Sequence, residues 1–373
     1  MGVTPPRNRA FMIVVSALVA LAAIPVLILV AASGAPTHVV LAVVLASVPV
    51  LPLVLGYLWL DRYEPEPRGL LALALTWGAF VACFAALVLE GVGGLVTGLR
   101  DDASIAVLAP VVEEACKGFF LVLLLWWRRD ELDGVLDGIV YAGMVGIGFA
   151  FVENILYLGA AYNGTSGVGP GGMQQVAWTF VVRCLVSPFA HPLFTAFTGI
   201  GVGIAVGARS RPVRWLAPLV GYCFAVLAHA IWNSATIYGF GSIVVVYAVI
   251  MLPAVGGLLA VGVWARGSER RMLALALDDA AGRGLLPATD IGWVVDLAAR
   301  RNARAYARQW GGPQAEQAMR EYQQAAIELG FLHSRFLRGT PPPNFAARGQ
   351  EYVARIGAVR PRIAFPGQVV PTR

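Results

Sequence analysis

Glu113, Glu114 and Lys117 lie within one helical turn of one another in an otherwise apolar stretch, and Lys117 is the only lysine in a chain whose other basic residues are all arginine. At spacings of three and four residues the ammonium shares a helix face with both carboxylates and can offset one of them. The second carboxylate is then left without a cation on its own helix. Two neighbouring carboxylates cannot both ionise cheaply in a low dielectric, so one of the pair is a candidate general base for a water molecule. Further along, His229 and Asn233 are again four apart and face one way, a donor pair suited to a developing oxyanion. Glu153 lies beside Asn154 in Phe149-Ala-Phe-Val-Glu153-Asn154, and His191 heads His191-Pro-Leu-Phe194.

These groups matter because of where they sit. The chain has 373 residues, 58% of them hydrophobic and only 13% charged, with a mean hydropathy of +0.70. An ordinary soluble domain carries about 25% charged residues. The composition excludes a soluble globule, a disordered chain, a disulfide scaffold and a nucleic-acid binder, and puts the chain in a bilayer. Cys83, Cys116, Cys184 and Cys223 lie in apolar stretches without CxxC spacing and read as small buried residues. Crossing ~30 Å of hydrocarbon takes about 20 helical residues, and eight segments qualify: 11–32, 38–60, 70–90, 104–127, 135–159, 176–207, 215–238 and 241–265. The expected fold is an all-α polytopic bundle of about eight transmembrane helices.

Inside it, Glu113, Glu114, Lys117, Glu153, Arg183, His191 and His229 are expensive to place, at about 3 kcal/mol for a charge on insertion scales, and each is by default a functional candidate. Taken singly, each has a plainer reading. Glu113 and Lys117 could form a structural ion pair, Glu153 could cap a broken helix, and the histidines could bond between helices. Arg183 reads as structural or lipid-facing, and His38 and His333 as loop and tail residues with no visible partner. Depth favours the joint reading: at ~1.5 Å per residue, Glu113, Glu153 and His229 all fall within ~9–14 Å of one membrane surface. His191 joins them if Pro188 and Pro192 break its long segment. Small-residue stripes permit the helices to approach closely, with Gly134, Gly138, Ala142, Gly146 and Ala150 on the fifth segment and Gly199, Gly203 and Gly207 on the sixth.

Orientation follows from arginine. With the N-terminus inside, the inner loops carry Arg7, Arg9, Arg62, Arg68, Arg128, Arg129, Arg209, Arg211, Arg214, Arg266, Arg270 and Arg271, and the outer loops only Arg100. Both termini are then cytoplasmic, in a multi-pass protein of the cell membrane. Residues 1–266 form the membrane core, with 13 basic and 13 acidic residues; residues 267–373 carry 15 and 9 and thus the whole net charge of +6. This tail predicts a small helical cytoplasmic region with helices near 269–282, 289–309, 313–337 and 344–357. Breaks are expected at Gly311-Gly312-Pro313 and Pro341-Pro342-Pro343, with the last dozen residues disordered. Its partner is unidentified, and anionic lipid is one candidate for its arginines.

Glu113-Glu114-x-x-Lys117, Phe149-x-x-x-Glu153-Asn154, His191-x-x-Phe194 and His229-x-x-x-Asn233, in this order on successive helices, resemble the PrsW family of intramembrane proteases. These are relatives of the type II CAAX prenyl endopeptidases and bacteriocin-processing enzymes. The resemblance covers roughly residues 40–265. It implies hydrolysis of a peptide bond in a single-span membrane protein, such as an anti-sigma factor, near the extracytoplasmic side. Glu113 would activate water, Glu114 and Lys117 would shape its charge, and His229 with Asn233 would hold the oxyanion. The relatives carry a histidine where this chain has Glu153, and His191 is the candidate to replace that imidazole. Zinc held by Glu113, Glu153, His191 and His229 is one possibility. A lysine one turn from the carboxylates would compete with it, which favours a metal-independent glutamate/histidine mechanism, with zinc as the alternative. The competing functions are a transporter or channel using the same groups, for which the paired repeats are lacking, and a catalytically silent scaffold.

Overall fold

A computed structural model of the chain describes residues 6–63, 65–164 and 169–367, with no strand among them. Among the described residues seven helical segments are long and apolar enough to cross a membrane: α1 Arg9–Ala32, α2 Pro36–Leu60, α3 Arg68–Thr97, α5 Val135–Asn163, α6 Met173–Gly207, α7 Arg211–Ile237 and α8 Phe240–Gly282. The eighth expected segment is also a helix, α4 Ala109–Trp127, preceded by a widened turn over Ser104–Leu108. Its three ionisable groups keep it out of the apolar seven. The chain is thus an all-α, multi-pass membrane bundle. α3 runs seven residues past the expected end of its segment, which brings Glu90 inside the helix.

The chain divides into two compact units, residues 1–61 with 66–262, and residues 62–65 with 263–373. In the first, α5 is the central helix: 89% of its apolar window is buried, against 22% for α7 and 11% for α2. Helices that face lipid need no protein cover, whereas α5 is enclosed by neighbours, and its glycines make that enclosure possible. A Cβ on Gly138 would meet the Gly199 carbonyl oxygen, and one on Gly199 would meet that of Gly138. A Cβ on Gly146 would lie 2.6 Å from the Pro192 nitrogen. The two backbones therefore touch along the predicted stripes, which sets His191, next to Pro192, directly against α5.

α6 is broken where its prolines suggest. It opens into a π-helical turn over Val181–Val186, leaves helical geometry at Ser187 (φ −120°, ψ 38°) and restarts at Ala190. Pro192 then falls in the first turn of the restarted half, where its missing N–H costs nothing. The second unit has its own apolar core, including Leu273, Leu277, Met319, Tyr322, Ile327 and Phe365. Its helices are the end of α8, α9 Ile291–Val295, α10 Leu297–Leu337 and α11 Phe345–Val359. α10 is interrupted at the expected break: Gly312 leaves helical geometry at φ 69°, ψ −166°, and a second helical stretch follows directly, with Pro313 in its first turn. Of the expected terminal disorder, residues 368–373 lie outside the described residues.

Candidate active site

α4, α5, α6 and α7 each contribute to one buried cluster. Lys117 is fully buried, and its Nζ donates to Glu114 Oε1 at 2.6 Å, to His191 Nδ1 at 3.0 Å and to Glu113 Oε2 at 3.2 Å. It also lies 4.2 Å from the centre of the Phe149 ring, which explains the first position of the Phe149-x-x-x-Glu153 spacing. The two carboxylates, indistinguishable in sequence, have different surroundings. Glu114 is saturated: besides Lys117 it accepts from His229 Nδ1 at 3.0 Å and from Thr195 Oγ1 at 3.0 Å. Glu113 has only the lysine as a close partner, with His191 Nδ1 at 3.8 Å and His229 Nε2 at 3.9 Å.

Both imidazoles are held from behind. His191 Nε2 lies 2.7 Å from Glu153 Oε2 and His229 Nδ1 3.0 Å from Glu114 Oε1, so each ring presents its other nitrogen inward, toward Glu113 Oε2. Phe194 stacks on His229 with ring centres 4.8 Å apart, the role of the last residue in His191-x-x-Phe194. The residues of the four motifs do not all converge. Asn154 Oδ1 accepts from Arg183 Nε at 2.8 Å, and Asn233 Nδ2 donates to the Ile105 carbonyl at 3.0 Å, so neither amide bonds an imidazole. Asn233 instead lines a cavity of about 430 Å³ together with Glu153, Asn154, Arg183, His191 and Trp232.

Arg183, expected to be structural or lipid-facing, is bonded to Glu153 and Asn154 and stacks over Tyr157 at 3.8 Å. Glu90 was absent from the expected set, because its segment was ended there; its Oε1 is buried without a hydrogen-bond partner. The other two histidines also have partners: His38 stacks on Tyr162, and His333 bonds Asp279 at 2.6 Å.

Residues 66–258 match the family described as PrsW family intramembrane metalloprotease. The Protease PrsW of Geobacillus kaustophilus is 32% identical over 174 residues, 45% of this chain and 69% of that one. The chain belongs to the PrsW family of intramembrane proteases. The Protease PrsW of Bacillus subtilis is likewise 32% identical over 172 residues, 43% of this chain and 68% of its own, and that of Clostridioides difficile is 29% identical over 116 residues, 29% and 48%. No solved structure matches the chain.

The PrsW family description names a metal, and the donor set fits one. Glu113, His191 and His229 each offer one ligand atom, all three within 4.8 Å of one another. A carboxylate and two imidazoles make up a common catalytic zinc set, and histidine ligands characteristically give their outer N–H to a carboxylate, as both do here. Glu153 takes that outer place behind His191. Lys117 makes its shortest contact, 2.6 Å, with Glu114, outside the donor set, but it also donates to His191 Nδ1 at 3.0 Å and to Glu113 Oε2 at 3.2 Å, so a bound cation would have to displace it from both.

Proposed function

We propose that this PrsW-family protease is an endopeptidase that cuts a single-span membrane-anchored protein near the extracytoplasmic side, with Glu113 as the base that activates water. The single observation behind this reading is the difference between the two adjacent carboxylates: Glu114 is fully engaged, while Glu113 faces the inward nitrogens of both histidines with only Lys117 close. Glu113 takes a proton from water as the oxygen attacks the scissile carbonyl carbon. The same carboxyl then returns the proton to the departing amine as the C–N bond breaks. Asn233 spends one amide hydrogen on Ile105 and has a second for the oxyanion, on the cavity wall where a peptide can reach it. His229, buried behind Glu113, orients rather than contacts the substrate.

In the alternative reading Glu113, His191 and His229 would hold a zinc ion, with Glu113 a ligand rather than the base, and the metal would supply a Lewis acid and a water acidic enough to lose its proton near neutral pH. On that reading, protein stripped with 1,10-phenanthroline is expected to lose cleavage by about 100-fold or more and to regain it with zinc. Elemental analysis should find one zinc per chain, absent in His229→Ala. Full activity in metal-free protein would exclude the metal.

The arginine asymmetry supports cytoplasmic termini and an outward-facing site. Reconstituted in liposomes with a single-span reporter of known orientation, the protein should cut about six to nine residues from the extracytoplasmic end of the span, the distance set by the ~9–14 Å depth at ~1.5 Å per residue. Mass spectrometry of the fragments locates the cut. A site in the cytoplasmic half would reverse the proposed sidedness, and transport without cleavage would favour a channel.

A further inference from the structure

The cavity beside the cluster carries a charge that the proposed chemistry does not use. Asp102 lines it together with Glu153, Arg183 and His191, and is exposed. Arg183 and Glu153 form an ion pair with each other. Among the described residues Asp102 has neither an ion pair nor a hydrogen bond. The guanidinium and the glutamate therefore cancel across the wall, and Asp102 sets its sign. With the rings of Trp178 and Trp232 on the same wall, an uncompensated carboxylate in a cleft of low dielectric concentrates its field on whatever enters and favours a cation.

A plainer role for this residue is at hand, because an acid in the first turn of a helix opposes the helix dipole. That turn, Asp101–Ala103, already has Asp101, which does not line the cavity. The dipole accounts for an acid at this helix start but not for one placed over the cavity.

The distance from Asp102 to the proposed centre follows from the backbone. The turn Asp101–Ala103 runs through the widened turn Ser104–Leu108 into α4 without leaving helical geometry. Asp102 is eleven residues from Glu113, which makes ~16 Å at ~1.5 Å per residue. An extended peptide covers that distance in about five residues at ~3.3 Å each, and in about three when a long basic side chain spans the remainder.

We propose that Asp102 is a specificity-determining residue that holds a lysine or arginine about three to five residues to the extracytoplasmic side of the scissile bond. The substrate class is then a single-span protein with a basic outer flank. The inference rests on the outward-facing site proposed above, with Glu113 at its centre. Basic residues gather on the cytoplasmic flanks of membrane spans. One on the outer flank is therefore a mark that separates a substrate from most other spans in the same membrane.

The full chain is reconstituted in liposomes with single-span reporters that carry lysine, glutamine or glutamate about four residues outside the cut. Wild type should cut the lysine reporter with a KM about 5–20-fold below that of the glutamine reporter and with kcat within about twofold, since a contact made equally before and during reaction changes binding alone. The preference should fade as salt approaches ~1 M, where charges are screened beyond ~3 Å. Asp102→Asn should erase it, and Asp102→Lys should transfer it to the glutamate reporter. Asp101→Asn should leave it intact. Moving the lysine along the flank should give an optimum about three to five residues from the cut.

Equal use of the lysine and glutamine reporters by wild type, a preference that survives Asp102→Asn, or one that is lost equally in Asp101→Asn, overturns the proposal. If Asp102→Lys does not fold, the near-isosteric Asp102→Asn and the salt titration decide. If Glu113→Gln still cleaves, the reading of Glu113 as the base fails while the lysine preference stands. If Glu113→Gln is inactive and the preference is absent, only the role of Asp102 is lost. If wild type cuts no reporter, the affinities of fluorescently labelled reporters for wild type and Asp102→Asn give the same comparison without turnover.

Discussion

Glu113→Gln is expected to lower cleavage of a membrane-anchored reporter by about 10²–10⁴-fold, the usual contribution of a positioned general base. Glutamine keeps the size and one acceptor oxygen, so Lys117 at 3.2 Å retains a partner and the cluster should stay assembled. What disappears is the ability to take a proton from water and return it to the amine. The effect belongs in kcat, with KM nearly unchanged, because the cavity that would receive the peptide is lined by α5, α6 and α7 residues such as Asn154, Arg183 and Asn233 rather than by Glu113. Glu114→Gln is the control at equal expression. That residue bonds Lys117, His229 and Thr195, and its replacement should loosen His229 and lower thermal stability as well as rate. Equal cleavage by wild type and Glu113→Gln would remove Glu113 from the chemistry.

The second large effect is on stability. Lys117→Met leaves two adjacent buried carboxylates without their ammonium, and breaking a buried ion pair by removing one partner costs about 3–5 kcal/mol. The detergent-solubilised variant should melt well below wild type and retain little activity. Lys117→Arg is expected to fail as well. The Nζ is wedged among Glu113, Glu114, His191 and the Phe149 ring with no exposed surface, and a guanidinium is too broad for that space. The double variant Lys117→Met/Glu114→Gln should regain more than half of the lost stability, since it removes one uncompensated charge, and the coupling is read from a double-mutant cycle. Additive losses would mean that the ammonium does not stabilise Glu114.

Much of this architecture could be read before the structure, and the parts that could not share a cause. Apolar runs located the spans because a bilayer imposes a length on every helix. The glycines of α5 and α6 signalled a close crossing because only a missing Cβ lets the Gly138 and Gly199 backbones touch. Spacing along one helix also put Glu113, Glu114 and Lys117 on one face. Spacing does not say what a face meets. His229 and Asn233 share a face, yet one turns to Glu114 and the other to the Ile105 carbonyl. Arg183 stood out as an intramembrane charge but without its partners for the same reason: they are 29 and 30 residues away on another helix, and the widened turn that aims it leaves no mark in a hydropathy pattern. Glu90 was missed because a span was ended at its only charge.

The solitary, enclosed lysine also gives the protein a built-in reporter. Apart from the chain's N-terminus, the protein has a single aliphatic amine, and it lies at the centre of the buried ionisable cluster. Amine-directed reagents therefore find no competing side chain. The rate at which they modify the ε-nitrogen measures how often the four helices part far enough to admit a small molecule.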